Sequence, residues 1–252
     1  MRRPLLTLLA ALLAAVSITA CSSGADSDTL RVGTEGTYSP FSYQGTDGKL
    51  TGYDIEVVTA VAQKLGKKVE FVQTPWDAIF AGLEAKRFDL VANQVTINDE
   101  RKAKYDLSEP YTVSEGVIVT RADDTAITSL ADLKGKTTAQ SATSNWATVA
   151  RNAGANVEAV EGFVQAIQLL KDRRVDATVN DTLAVGEYQR TNHDSAIKVA
   201  GTTGDKSEQA FAARKDSGLI PDVNRALDQL RADGTLKQIS EKYFGSDVSS
   251  AT

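Results

Sequence analysis

Two hundred and fifty-two residues, 42% hydrophobic and 24% charged, suit one large domain or two small ones and exclude a disordered or multiply spanning chain. A formal charge of −5, with no Lys/Arg run beyond pairs, argues against a nucleic-acid partner. One cysteine and one histidine rule out an intrachain disulfide and any His- or Cys-based metal cluster; His193 sits in a polar stretch with no Gly-x-Ser-x-Gly elbow to serve, so no cofactor or metal is expected.

Met1-Arg2-Arg3 is a basic start, and Leu5 to Val16 is an apolar run. It is shorter than the roughly 17–25 residues that a bilayer core needs, and of the length of a signal-peptide hydrophobic region. It ends in Ile18-Thr19-Ala20-Cys21, which resembles the bacterial lipobox. The resemblance implies a signal peptide over residues 1–20 and a lipid on Cys21; the alternative is an ordinary secretory signal with an incidental cysteine. Loss of Arg2 and Arg3 would bring the 28 basic residues to 26 against 33 acidic, a charge near −7. Residues 21–29 read as a flexible polar tether. The expectation is a soluble body held by lipid at the outer face of a membrane, with no span of its own.

From Thr29 onward, short apolar runs alternate with helical periodicity. Leu30–Gly33 reads as strand and is followed by a Gly/Thr/Ser/Pro-rich loop through Pro40. Tyr53–Leu65 is helical, Val69–Val72 strand, Trp76–Lys86 helix and Phe88–Ala92 strand, a β-α-β-α-β series that implies a mostly parallel sheet. The pattern then repeats: strand Lys136–Ala139, helix Asn145–Asn152 with Ser144 as N-cap, strand Val157–Val160, helix Val164–Lys171, strand Val175–Val179. The tail returns with strand Gln209–Ala213, helix Val223–Arg231, a stop at Asp233-Gly234-Thr235 and a short helix Leu236–Phe244. Thr112–Val119 and Glu208–Arg214 read as two crossings between α/β lobes, and a hinge is expected there.

The repeat places Asn93-Gln94 of one unit opposite Asn180-Asp181 of the other, both after the same strand. In open α/β sheets ligands bind beyond the carboxyl ends of strands. Arg101 stands close to the first pair and offers a fork for a carboxylate, while Asp181 offers a negative charge in the second lobe. A free amino acid is the smallest ligand that answers both. An inter-lobe salt bridge between Arg101 and Asp181, or a merely solvated charge cluster from Asn93 to Arg101, is the alternative.

Four separated stretches then resemble family 3 of the bacterial solute-binding proteins, the polar amino-acid receptors of ABC importers. They are Gly33-Thr34-Glu35-Gly36-Thr37-Tyr38-Ser39-Pro40-Phe41, Gly52-Tyr53-Asp54-Ile55-Glu56, Val95 to Arg101 leading to Tyr105-Asp106-Leu107-Ser108-Glu109-Pro110-Tyr111, and Asp233-Gly234-Thr235 with Glu241-Lys242-Tyr243-Phe244-Gly245. The resemblance covers about Leu30 to Gly245. It implies a two-lobe, type II periplasmic-binding-protein-like α/β fold with a cleft between lobes. Lobe 1 would be residues 30–114 and 215–245, lobe 2 residues 119–208, the hinge residues 115–118 and 209–214, and residues 246–252 a tail.

It also implies roles. Arg101 would clamp the ligand α-carboxylate, helped by Thr96. The Gln94 backbone carbonyl and the Asp181 carboxylate would take the α-ammonium. Thr143 and Ser144 would donate to the carboxylate from a helix start, and Tyr38 and Trp76 would wall the side-chain pocket, with Glu35 and Phe41 near it. Trp76 reads equally as core, because it opens an amphipathic helix. Ala142 departs from a usual glycine, and Asn93-Gln94 from a common Ser-Gly. Asn-Gln-Val-Thr-Ile-x-Asp-Glu-Arg looks most like the cystine-binding branch, with glutamine, glutamate or another polar amino acid left open. The partner implied is a membrane permease, the receptor itself a monomer. The rival on the same fold is a dehydratase of the cyclohexadienyl or arogenate type, with Glu35 as its acid.

Overall fold

The computed structural model describes residues 28–249. The expected signal peptide, Cys21, most of the tether and residues 250–252 lie outside the described residues. The chain begins with β1 (Thr29–Thr34), a small antiparallel meander of β2 (Thr37–Tyr38), β3 (Ser42–Gln44) and β4 (Leu50–Thr51), then α1 (Tyr53–Lys64), β5 (Lys68–Gln73), α2 (Trp76–Glu84) and β6 (Leu90–Thr96). A short α3 (Asp99–Lys104) and β7 (Tyr105–Leu107) lead to β8 (Thr112–Arg121). The second unit is β9 (Thr137–Gln140), α4 (Asn145–Asn152), β10 (Asn156–Ala159), α5 (Phe163–Lys171), β11 (Ala177–Asp181) and α6 (Thr182–Asn192). The chain returns through β12 (Ile197–Arg214) to α7 (Ile220–Ala232) and α8 (Thr235–Phe244).

The main sheet runs β10-β9-β11-β8-β12-β6-β1-β5. β1 is parallel to β5 and β6, and β9 is parallel to β10 and β11. Strands β8 and β12 separate these two parallel sets and pair antiparallel to each other. They are the two crossings that join the lobes. Each parallel set packs its own apolar side chains. Leu30, Val32, Val57, Val58, Leu90, Phe211 and Leu227 share one core, and Val117, Val119, Ile167, Leu170 and Val175 another. Tyr38 touches both.

Several expectations about element ends are corrected. β6 continues through Thr96 rather than stopping at Ala92, because β12 pairs with it there, Gln209 opposite Thr96 and Ala210 opposite Val95. β11 likewise extends to Asp181, laddered to Gly116 of β8. Polar side chains at a strand end look like a loop in sequence, although the ladder is a backbone matter. α2 ends at Glu84, and Lys86 just beyond it is left-handed, with φ 58°. The polar segment around His193 closes α6 as a left-handed cap, with φ 48°.

Gly52, ahead of α1, has φ 132°, and a Cβ there would lie 2.2 Å from the Phe41 carbonyl oxygen. The nearest atoms are all backbone, of Pro40 and Phe41, and leave no side chain to yield. Gly52→Ala is expected to cost at least about 2 kcal/mol of unfolding free energy. That is a drop of roughly 5 °C or more in thermal midpoint for a chain of this size. A melt within a degree of the parent would contradict the reading.

Candidate functional site

The carboxyl ends of β1, β6, β9 and β11 converge on one cavity of about 70 Å³. Glu35 and Tyr38 follow β1, Asn93 and Gln94 lie in the second half of β6, Gln140 ends β9, and Asn180 lies on β11; all six line the cavity. Helix starts supply the aromatic walls. Trp76 opens α2, Trp146 is the second residue of α4, and Phe163 opens α5.

Of the ten ligand-binding residues expected from sequence, Glu35, Tyr38, Trp76, Gln94 and Ser144 line this cavity. Arg101 lies directly behind it, with its guanidinium carbon 5.1 Å from the Trp76 ring centre and 5.6 Å from that of Phe80. The Thr96 carbonyl accepts from Arg101 Nη1 at 2.8 Å, and Asn98 caps α3 by accepting from the Arg101 N–H at 2.9 Å. Among the described residues no carboxylate pairs with this buried cation, and burial pushes its pKa down to about 10. The direct Arg101–Asp181 bridge weighed from sequence is not among the ion pairs of the described residues.

Asp181 sits one residue beyond Asn180, buried at the hinge. Its carboxylate accepts from the Leu183 N–H at 2.8 Å as the N-cap of α6, and from the Ser114 hydroxyl. Thr143 stands at the rim, its hydroxyl and N–H bonded to Asp77 at 2.7 and 3.0 Å. Phe41 is wholly buried in the first core with its ring centre 5.0 Å from that of Tyr38, tilted by 49°, so it supports that wall from behind. Trp76 satisfies both of its sequence readings. It packs with Ile79, Leu83 and Phe88 and also faces the cavity, with its buried indole N–H unpartnered.

Asn93 and Gln94 are fixed by buried acids. Asn93 donates to Glu35 Oε2 at 2.6 Å and accepts the Glu35 N–H at 2.8 Å. Gln94 takes the left-handed conformation, φ 50°, within β6, where the ladder to β12 shifts register. That conformation costs about 1–2 kcal/mol for a residue with a Cβ. Asp54 offsets it by accepting the Gln94 N–H at 2.8 Å and Nε2 at 2.6 Å. With Nε2 held, the Gln94 Oε1 is left buried and without a donor.

Burial raises three carboxyls here. Glu35 and Asp54 are each pushed up to about 7 and Asp181 to about 6; the nearby Asp77 charge adds to the rise at Glu35. Tyr38 donates to Asn180 Oδ1 at 2.7 Å, a bond that crosses from the first lobe to the second. The site therefore holds a buried cation lacking an anion, acids that favour a cation, and unpartnered amide and indole groups between them. A zwitterion meets those demands together. Among the described residues no group of His, Cys, Asp and Glu could hold a metal, and no helix is long and apolar enough to cross a membrane.

The sequence pattern marked Asn93 and Asn180 through the repeat but not Gln140, Trp146 or Phe163 as lining residues. An aromatic at the start of a helix that follows a strand is an available signal, since Trp76, Trp146 and Phe163 share that placement.

The profile of bacterial extracellular solute-binding proteins, family 3, matches residues 30–246. The L-cystine-binding protein TcyA of Bacillus subtilis (strain 168) is 54% identical over 222 residues, 87% of this chain and 82% of that protein. Two solved structures are similar. An ancestral arginine-binding protein bound to arginine has a TM-score of 0.81 at 39% identity, covering 86% of this chain and 99% of that one. The L-cystine solute receptor of Neisseria gonorrhoeae, unliganded and open, has a TM-score of 0.60 at 47% identity, covering 88% and 95%. The chain belongs to family 3 of the bacterial extracellular solute-binding proteins.

Proposed function

We propose that the chain captures L-cystine in the cleft between its lobes, outside the cytoplasm, and delivers it to an ABC permease. The observation that carries this is Arg101, a buried guanidinium with no carboxylate partner among the described residues. A buried charge left unpaired is costly, and a ligand α-carboxylate removes that cost. Asp181 and the buried Gln94 oxygens take the α-ammonium, Ser144 approaches the carboxylate with Thr143 beside it, its hydroxyl and N–H both turned to Asp77, Thr96 holds Arg101 in place, and Tyr38, Trp76 and Glu35 border the side chain with Phe41 behind. Cystine is favoured because TcyA and the gonococcal receptor are named for it. The lobes would be residues 30–114 with 215–245 and residues 119–208, turning about residues 115–118 and 209–214. Titration calorimetry of the purified protein over the common amino acids plus cystine tests the reading; no heat with any of them would sink it.

The proposal includes a lipid on Cys21, which leaves a monomer tethered to the membrane through residues 21–29. Cys21→Ser is expected to move the protein from the membrane fraction to the soluble fraction with its ligand affinity intact. Retention in the membrane fraction would refute the anchor.

One observation favours a catalytic reading: Glu35 is a cavity acid raised to about 7, suited to protonating a leaving hydroxyl. We favour a carrier over an enzyme because that carboxyl is already engaged, accepting from the Asn93 side-chain amide and the Trp76 backbone N–H. Incubation with prephenate, followed by assay for phenylpyruvate, separates the two; product formation selects the dehydratase.

A further inference from the structure

The loop that brings Ser141, Ser144 and Asn145 to the cavity wall is held from across the cleft by a residue with no part in the ligand contacts proposed above. Asp77, second residue of α2, accepts from the Thr143 hydroxyl at 2.7 Å, from the Thr143 N–H at 3.0 Å and from the Ala142 N–H at 3.2 Å. Two successive backbone N–H groups and a hydroxyl converging on one carboxylate form an anion nest. α2 packs on the β1–β6 side of the crossing strands, and the loop leaves β9 on the other side. All three bonds therefore span the cleft, and opening the lobes breaks them together.

We propose that Asp77 is a positioning residue that latches the closed form: its carboxylate, seated in the Ala142–Thr143 nest, fixes the loop presenting Ser144 and holds the lobes together whatever the ligand side chain. The inference rests on the proposed function only in requiring that the cleft close on a ligand. Observed affinity is the closed-state affinity scaled by the closed population. A contact made only in the closed state therefore raises affinity for every ligand by one common factor and acts through the dissociation rate. Asp77 is exposed, so water competes for the nest and the factor is modest.

Two other roles for Asp77 predict different results. As an acid in the first turn of α2 it interacts with the helix dipole in open and closed forms alike. Its loss would then lower the ligand-free melting temperature and leave affinity unchanged. As a stand-in for the ligand carboxylate it would compete, and its loss would tighten binding.

The test is a cycle of Asp77→Ala, Thr143→Val and the double variant in the full chain. Affinity and dissociation rate are measured for several amino acids. Cleft width is measured by pulsed dipolar spectroscopy between nitroxides at the exposed positions Ala81→Cys on α2 and Thr148→Cys on α4. Asp77→Ala is expected to weaken every ligand by about tenfold, all of it in dissociation. Ligand ranking and the ligand-free melt should stay unchanged, the nitroxide distances should lengthen, and Thr143→Val should add nothing once Asp77 is gone. An additive loss in the double variant assigns Thr143 to the ligand and overturns the latch, as do a reordered ligand ranking, tighter binding, or unchanged rates with unchanged distances. If the parent protein binds none of the amino acids yet Asp77→Ala lengthens the distances, the latch stands and the proposed function falls.

Discussion

Arg101→Ala is expected to weaken binding of every amino-acid ligand by roughly 30-fold to several thousand-fold, the equivalent of truncating one partner of a desolvated charge pair at about 2–5 kcal/mol. The loss is general because the α-carboxylate is common to all of them. Arg101 keeps its charge at neutral pH even with its pKa pushed down to about 10, and Trp76 and Phe80 hold the guanidinium plane in place. In the ligand-free protein the substitution relieves an unpaired buried cation, so the melting temperature should hold or rise while affinity collapses. That opposite movement separates a ligand clamp from a structural arginine. Calorimetry and a thermal melt on the same sample decide it, and parent-like affinity would remove Arg101 from the site.

Lowering the pH from 8 to 5.5 is expected to stabilise the ligand-free protein by roughly 5 kcal/mol, or about 10–20 °C in midpoint. The sign follows from protons bound. Glu35 and Asp54 hold theirs to about 7 in the folded chain and Asp181 to about 6, whereas the unfolded chain releases them near 4. Between those values the folded state binds more protons, so stability falls as pH rises through the window and levels off above it. Carboxyls held below their ordinary range, such as Asp89 beside Arg31 and Asp233 bonded to Lys64, act in the opposite direction and set the acid limit below that window. A ligand ammonium favours the charged forms of Asp181 and Glu35, so binding near pH 6.5 should release protons, and its heat should vary with the buffer's ionisation enthalpy. A midpoint that is flat from pH 5.5 to 8 would show that the three acids are not raised.

Much of this architecture was legible locally. The apolar spacing of α1, α2 and α5, and the strands between them, belong to one repeat of strand and helix. What was hidden depended on distant partners. The region Gly201 to Lys206 is polar and glycine-bearing and reads as a loop, yet β12 runs through it because β8 supplies the ladder, with register shifts taking up the irregularity. α6 lacks a clear apolar stripe, and Asp181, which caps it, was sought only as a ligand group. Asp54 looks like any acid in a first helical turn until Gln94, 40 residues on, places both of its nitrogens on that carboxylate. Asp77 is the same case at longer range. Arg101 and Trp76 stood out because their chemistry is unusual for their surroundings, whereas a short acid at a helix start is not.

The chain has two tryptophans, Trp76 and Trp146, and both face the cleft, one from each lobe. Trp146 also lies against the crossing strand, where a Cβ on Gly116 would come within 2.4 Å of its ring. Every indole photon the protein emits therefore originates at the cavity wall. Unlabelled intrinsic emission should follow capture and release in real time with no background from elsewhere in the fold, and Trp146→Phe or Trp76→Phe would resolve the signal lobe by lobe.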